Sequence, residues 1–219
     1  MINIAAFQPN SFIDYPGKIA SVIFLGGCNM RCYYCHNHNI LCSTSNITPI
    51  ESIMPRITEQ LGFIDGVVIT GGEPTLHPHL TPITQAIKEL GLLVKLDTNG
   101  TNPQILKSLV EGGLVDYVAM DIKAGQSRYN EIAGVCVDFA KIGESINFLI
   151  QQDRIDYQFR TTLAPTLTED DMAEIATLIN GAKTWQLQKC NSKGQSTLKA
   201  DRVIELVKPH VGEIVLRGF

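Results

Sequence analysis

The chain has 219 residues, 44% hydrophobic and 18% charged, enough to bury one sizeable core but short for two. Eighteen Lys and Arg against 22 Asp and Glu leave a net charge of -4, so no global positive field draws nucleic acid to the surface. The Met1 to Pro9 stretch lacks a basic region ahead of a long apolar one, and no apolar run reaches the ~18 residues of a membrane span. One domain over residues 1–219, cytoplasmic and with reduced thiols, is therefore expected.

Short β-branched runs recur along the chain at 21–25, 66–70, 92–96, 115–120, 155–159 and 184–187. Near-continuous apolar runs of this kind suit strands buried on both faces. Between them lie helical spacings with start signals: Thr48-Pro49 before Ile50, Ile53 and Ile57; Thr81-Pro82 before Ile83 and Ile87; Asn102-Pro103 before Ile105 and Leu106; and Thr168 ahead of three acids. Pro55 interrupts the first of these patterns, and residues 199–219 read as a helix followed by a last strand. The alternation predicts an α/β fold, an open, partial parallel (β/α)6 barrel with its helices outside. In such folds the chemistry gathers where strands end. That rim collects Gly26-Gly27-Cys28, Gly71-Gly72-Glu73-Pro74, Asp97-Thr98-Asn99-Gly100, Asp121-Ile122-Lys123, Arg160-Thr161-Thr162 and Gln188-Lys189-Cys190.

Cys28, Cys32 and Cys35 place three thiols within eight residues, directly after a strand and a Gly-Gly pair. Thiolates this close repel unless a cation holds them. An iron–sulfur cluster would leave one iron open to an exogenous ligand, whereas zinc is the alternative because His36 and His38 follow at once. The spacing matches neither the zinc ribbon nor the ferredoxin pattern and leaves both metals open. Glu73 is a carboxylate suited to an ammonium group, Gly71 and Gly72 tolerate unusual backbone angles, and Asp121 and Lys123 share one face of a strand end. Asp97, Thr98 and Asn99 offer oxygens for a ribose or a hard cation.

The three-cysteine loop, with Tyr34 before its last thiol, resembles that of the radical S-adenosylmethionine superfamily. Asp14-Tyr15-Pro16-Gly17, Cys35-His36-Asn37, Asp97-Thr98-Asn99-Gly100, Met120-Asp121-Ile122-Lys123 and the segment from Tyr157 to Thr162 are similar, in order, to motifs of the glycyl-radical-enzyme activases, those of anaerobic ribonucleoside-triphosphate reductase above all. The likeness spans roughly Ile13 to Leu187. It implies that Cys28, Cys32 and Cys35 hold a [4Fe-4S] cluster whose fourth iron is chelated by S-adenosylmethionine. Reductive cleavage then yields a 5′-deoxyadenosyl radical that takes hydrogen from a glycine of a partner glycyl radical enzyme. It also implies reduced flavodoxin or ferredoxin as electron donor and no nucleic-acid or membrane partner.

By the same resemblance the cofactor contacts are Tyr34 against the adenine, the backbone beside His36, Gly71, Gly72 and Glu73 at the methionine end, Asn99, the Asp121 and Lys123 pair, and Arg160. Where the family carries an aromatic or histidine after its sixth strand, this chain has Gln188-Lys189-Cys190. Cys42, Cys136 and Cys190 have no assigned role. The competing readings are an activase of pyruvate formate-lyase, a small-molecule radical synthase, and a zinc-stabilised interaction module.

Overall fold

The computed structural model describes residues 4–38, 49–190 and 196–219. One eight-stranded sheet runs in sequence order: β1 (Ile4–Tyr15), β2 (Lys18–Leu25), β3 (Gly66–Gly71), β4 (Leu93–Thr98), β5 (Tyr117–Asp121), β6 (Asp156–Leu163), β7 (Ala182–Lys189) and β8 (Val211–Arg217). The seven strands from β2 to β8 are parallel, and β1 pairs with β2 antiparallel. The helices are α1 (Ile50–Thr58), α2 (Leu80–Glu89), α3 (Pro103–Glu111), α4 (Tyr129–Ala133), α5 (Phe139–Gln151), α6 (Glu169–Leu178) and α7 (Ala200–Val207). Among the described residues none is long and apolar enough to cross a membrane.

The open α/β barrel expected from the alternating runs is present, extended by the tail strand β8 and by β1. The β1 segment escapes sequence reasoning because Gln8-Pro9-Asn10-Ser11 breaks its apolar pattern; register shifts mark the same place. The capping box predicted at Thr168 forms, with Asp171 as its reciprocal partner. Asn102 stands at the start of α3, but its amide donates to the Thr75 carbonyl at 3.0 Å instead of capping the helix. Pro55 lies inside α1 without ending it. Thr48, Cys42 and most of the loop-like stretch after Cys190 lie outside the described residues.

Strand alternation sorts side chains into two environments. Val67, Ile69, Val94, Leu96, Val118, Met120, Tyr157 and Phe159 join the large core shared with the helices. The opposite face is apolar only at the barrel floor, where Tyr15, Ala20, Val22 and Val68 pack together. Above the floor the inward positions are polar or charged: Lys95 and Asp97 on β4, Asp121 on β5, Gln158 and Arg160 on β6. Edge strands β1 and β8 do not pair with each other. Arg217 of β8 reaches Asp14 of β1 across this seam, with Nη2 donating to Oδ1 at 3.1 Å.

Candidate active site

The rim residues enclose one cavity of about 510 Å³, lined by Cys28, Cys32 and Cys35 together with Asp97, Asp121, Lys123 and Arg160. A volume in this range suits a bound small molecule. The cysteine loop leaves β2 through Gly26 and Gly27 and is tied to the four βα units that begin with β3, β4, β5 and β6. The Asn29 amide donates to the Thr101 hydroxyl at 2.9 Å and accepts at Oδ1 from the Asn99 amide at 2.8 Å. The Arg31 N–H donates to the Ala133 carbonyl at 2.8 Å. The Tyr33 hydroxyl lies 2.7 Å from that of Thr166. Asn37, at the loop's end, donates to the Gly71 carbonyl at 3.0 Å. The Asn29 and Tyr33 side chains and the Arg31 N–H are thus spent on holding the loop to partners 70 or more positions away, which local sequence patterns did not reveal.

Burial pushes the Cys28 and Cys32 thiols up, with Lys123 pulling both down. The Cys28 sulfur already sits where a thiolate would: the Met30 N–H donates to it at 3.4 Å, and the Asn99 amide points to it at 4.0 Å. Hydrogen bonds to cysteine sulfur are a feature of iron–sulfur sites. Among the described residues no three His, Cys, Asp or Glu side chains are placed to hold a metal ion between them; the three thiols stand around the cavity wall. His36 is exposed at the cavity edge, and Tyr34 is buried, edge-on to Tyr33, in a small core with Ala124, Ile132, Ala164, Leu167 and Cys190.

Gly71 and Gly72 serve a backbone crossing. Gly71 adopts φ +112° with no room for a side chain against Leu25, and a Cβ on Gly72 would overlap the Gly27 carbonyl. The crossing is sealed by Gly72 N–H donating to the Leu25 carbonyl at 2.7 Å and Glu73 N–H to that of Gly27 at 2.8 Å. His77 adds a ring-nitrogen contact to the Gly26 carbonyl at 2.7 Å.

Glu73 is fully buried. Its Oε1 accepts from the Thr75 N–H, the Thr75 hydroxyl and the Thr98 hydroxyl, and its Oε2 from the Asn99 N–H at 2.6 Å. The carboxylate therefore stitches the turn after β3 to the turn after β4. Burial raises its pKa, against the lowering effect of those donors. A Glu73→Gln substitution keeps one carbonyl acceptor but sets an NH2 against the Asn99 N–H, and chemical denaturation should register a net loss of about 1 kcal/mol. Because the folded pKa of Glu73 is raised, its contribution is present in acid and declines as pH rises, so the penalty of the substitution should shrink from pH 4 toward neutrality.

Behind the cavity runs a ladder of ions. Lys95 and Arg160 both donate to Asp97, the guanidinium at 2.9 Å; Arg160 Nε donates to Asp121 at 2.8 Å; and Lys123 donates to the other Asp121 oxygen at 3.1 Å. Thr70 adds a hydroxyl to Asp97 at 3.1 Å. Burial alone would raise both carboxyls, but Arg160 with Lys95 and Lys123 outweighs it and holds both below the ordinary aspartate value. Lys95, itself 2% exposed, is lowered by burial, whereas Asp121 more than compensates burial at Lys123. Asp97, considered for a hard cation, has two built-in cations instead. Lys95 was legible in principle, as a lysine two residues from an aspartate inside an apolar strand.

An open parallel barrel that gathers three thiols and a buried ion ladder around one cavity is the framework of a cofactor-dependent α/β enzyme. The pattern described as the Radical SAM superfamily matches residues 22–179. A Methanocaldococcus jannaschii protein named as a glycyl-radical enzyme activating enzyme is 36% identical over 188 residues, 84% of this chain and 78% of the relative. The pyruvate formate-lyase-activating enzyme of Clostridium pasteurianum is 27% identical over 197 residues, with the same two coverages of 84% and 78%. Streptococcus suis SuiB bound to S-adenosylmethionine superposes with a TM-score of 0.64 at 15% identity over 89% of this chain; the chain spans 46% of SuiB, and the likeness is one of fold.

The chain belongs to the radical SAM superfamily, among the glycyl-radical enzyme activating enzymes. It is accordingly a radical SAM enzyme, and its cofactors are a [4Fe-4S] cluster and S-adenosylmethionine. The donor set fits: three soft thiols, one already accepting an N–H, border a cavity that also carries charged groups for a zwitterionic ligand.

Proposed function

We propose that this protein generates a glycyl radical on a partner enzyme, with anaerobic ribonucleoside-triphosphate reductase as the target and reduced flavodoxin or ferredoxin as electron donor, in the cytoplasm, where thiols remain reduced. The observation that carries this reading is the shared cavity: Cys28, Cys32 and Cys35 line it together with Asp121, Lys123 and Arg160, and it also reaches Asp14 and Arg217 at the barrel seam. A site open at a seam suits a polypeptide segment better than a sealed metabolite chamber would.

In this reading Cys28, Cys32 and Cys35 are the cluster ligands. When bound there, the cluster would supply the reducing electron for S-adenosylmethionine cleavage, the chemistry that hydrogen abstraction requires. The chain's own task is to bind, orient and shield. Asp121 suits ribose hydroxyls, and Lys123 suits the methionine carboxylate. Arg160 keeps Asp121 ionised and fixed in place. Tyr34 offers a rigid ring edge beside the adenine, His36 a backbone edge, and Gly71, Gly72 and Glu73 set the height of the rim over which the methionine end lies. Asn99 acts at one remove, holding Asn29 and facing the Cys28 sulfur.

Anaerobic reconstitution and reduction with S-adenosylmethionine should release 5′-deoxyadenosine, and added reductase should develop a glycine-centred electron paramagnetic resonance doublet. A doublet with pyruvate formate-lyase alone would move the assignment to that enzyme, in line with the similarity to the Clostridium protein. Cofactor cleavage with no doublet on either partner would overturn the proposed substrate class, and turnover of a free metabolite would replace it with a synthase.

A further inference from the structure

The cysteine loop is braced from outside the cavity by α4 and the glycine that ends it. The Arg31 N–H donates to the carbonyl of Ala133, the last residue of α4, at 2.8 Å, and the Cys32 sulfur lies 4.0 Å from the same oxygen. Gly134 follows in the left-handed region, φ +68°, and a Cβ there would overlap the Arg31 carbonyl oxygen, with the Arg31 carbonyl carbon only 2.9 Å away. Those atoms are main chain and cannot swing aside. From the other side the Arg31 guanidinium donates from Nη1 to the Cys28 carbonyl at 2.6 Å and to the Met30 carbonyl at 2.8 Å. One residue between two of the thiols is thus gripped by its peptide and by its side chain.

We propose that Gly134 and Arg31 are positioning residues for the cluster: Gly134 lets α4 press against the Arg31 peptide, and Arg31 locks the Cys28 to Cys32 span that carries two of the cluster thiols. The inference rests on the cluster assignment but not on the identity of the partner enzyme. Groups that orient metal ligands in this way are commonly worth 10- to 100-fold in metal retention. Left-handed geometry alone disfavours a non-glycine residue, and here the close approach of Arg31 adds to it.

The test uses the full chain reconstituted anaerobically, comparing Gly134→Ala, Arg31→Ala and, as a control, Gly143→Ala, whose added Cβ meets nothing within 4 Å. Iron release to the chelator bathophenanthroline should be about tenfold faster or more in Gly134→Ala, and several-fold faster in Arg31→Ala. The reduced-cluster paramagnetic resonance spectrum, and its change on adding S-adenosylmethionine, should be altered in both. Gly143→Ala should match the parent. Should Gly134→Ala fail to fold, Arg31→Ala decides, because its exposed side chain can be removed without burying or uncovering core. Parent-like release rates and spectra in the folded variants would overturn the proposal, whereas loss of the doublet on a partner enzyme with intact iron retention would count only against the function proposed above.

Discussion

Alanine at Cys28, Cys32 or Cys35 should abolish stoichiometric iron binding and reduce S-adenosylmethionine cleavage to background, while Cys136→Ala should leave both unchanged. Cys136 is exposed, whereas the three loop thiols line the cavity. A cluster held by these thiols would be left with two protein ligands in any of the three variants, too few to retain it and keep one position open for an exogenous ligand. Iron and sulfide analysis after anaerobic reconstitution, with 5′-deoxyadenosine measured in parallel, checks the result. Full iron content in any of the three variants would remove the cluster from this loop.

Arg160→Met has the largest expected effect on the fold. Among the described residues Arg160 is the one group bonded to both Asp97 and Asp121, and its side chain is 11% exposed. Taking one partner from a buried ion pair costs about 3–5 kcal/mol. Because Lys95 and Lys123 stay in place and Asp121 is 30% exposed, the low end, about 3 kcal/mol at pH 7, is expected. The sign of the pH dependence follows from the depressed carboxyls. Each contributes stability that is present above the unfolded aspartate value, near pH 4, and lost as pH falls toward the lower folded value. In the methionine variant the folded values move up, so protonation relieves the stranded carboxylates, and the deficit should narrow on acidification. Urea titrations at pH 7 and pH 3, the latter inside that window, measure both numbers. A deficit that is equal at the two pH values would mean that the ladder contributes through packing rather than charge. The variant should also bind S-adenosylmethionine more weakly, because Asp121 and Lys123 lose the strut that fixes them.

Local signals carried much of the architecture. The runs that became β2 to β7 are short and β-branched, the capping box at Thr168 needs only four consecutive residues, and the thiols declare themselves by spacing. The rim reading worked because a parallel strand must end where its helix begins, so residues just after each run converge whatever the details of packing. Where it fell short, the interactions are long-range. Glu73 looked like a free carboxylate for a ligand, and its partners at Thr98 and Asn99 come from the next βα unit. Gly71 and Gly72 looked like ligand-facing glycines, and the structure uses them to let β3 cross the start of the cysteine loop.

By itself the sequence determined the alternating fold, the cysteine loop at a strand end, and the set of polar residues on one rim, because each depends on chemistry within a dozen consecutive residues. Only the tertiary structure decided which charge neutralises which, that Lys95 and Arg160 share Asp97, and that Gly134 presses on Arg31 from a hundred residues away. The reason is physical: a buried ion or a close backbone approach is defined by what lies across the sheet, and register, helix docking and burial fix that neighbour jointly once the chain has closed into a barrel.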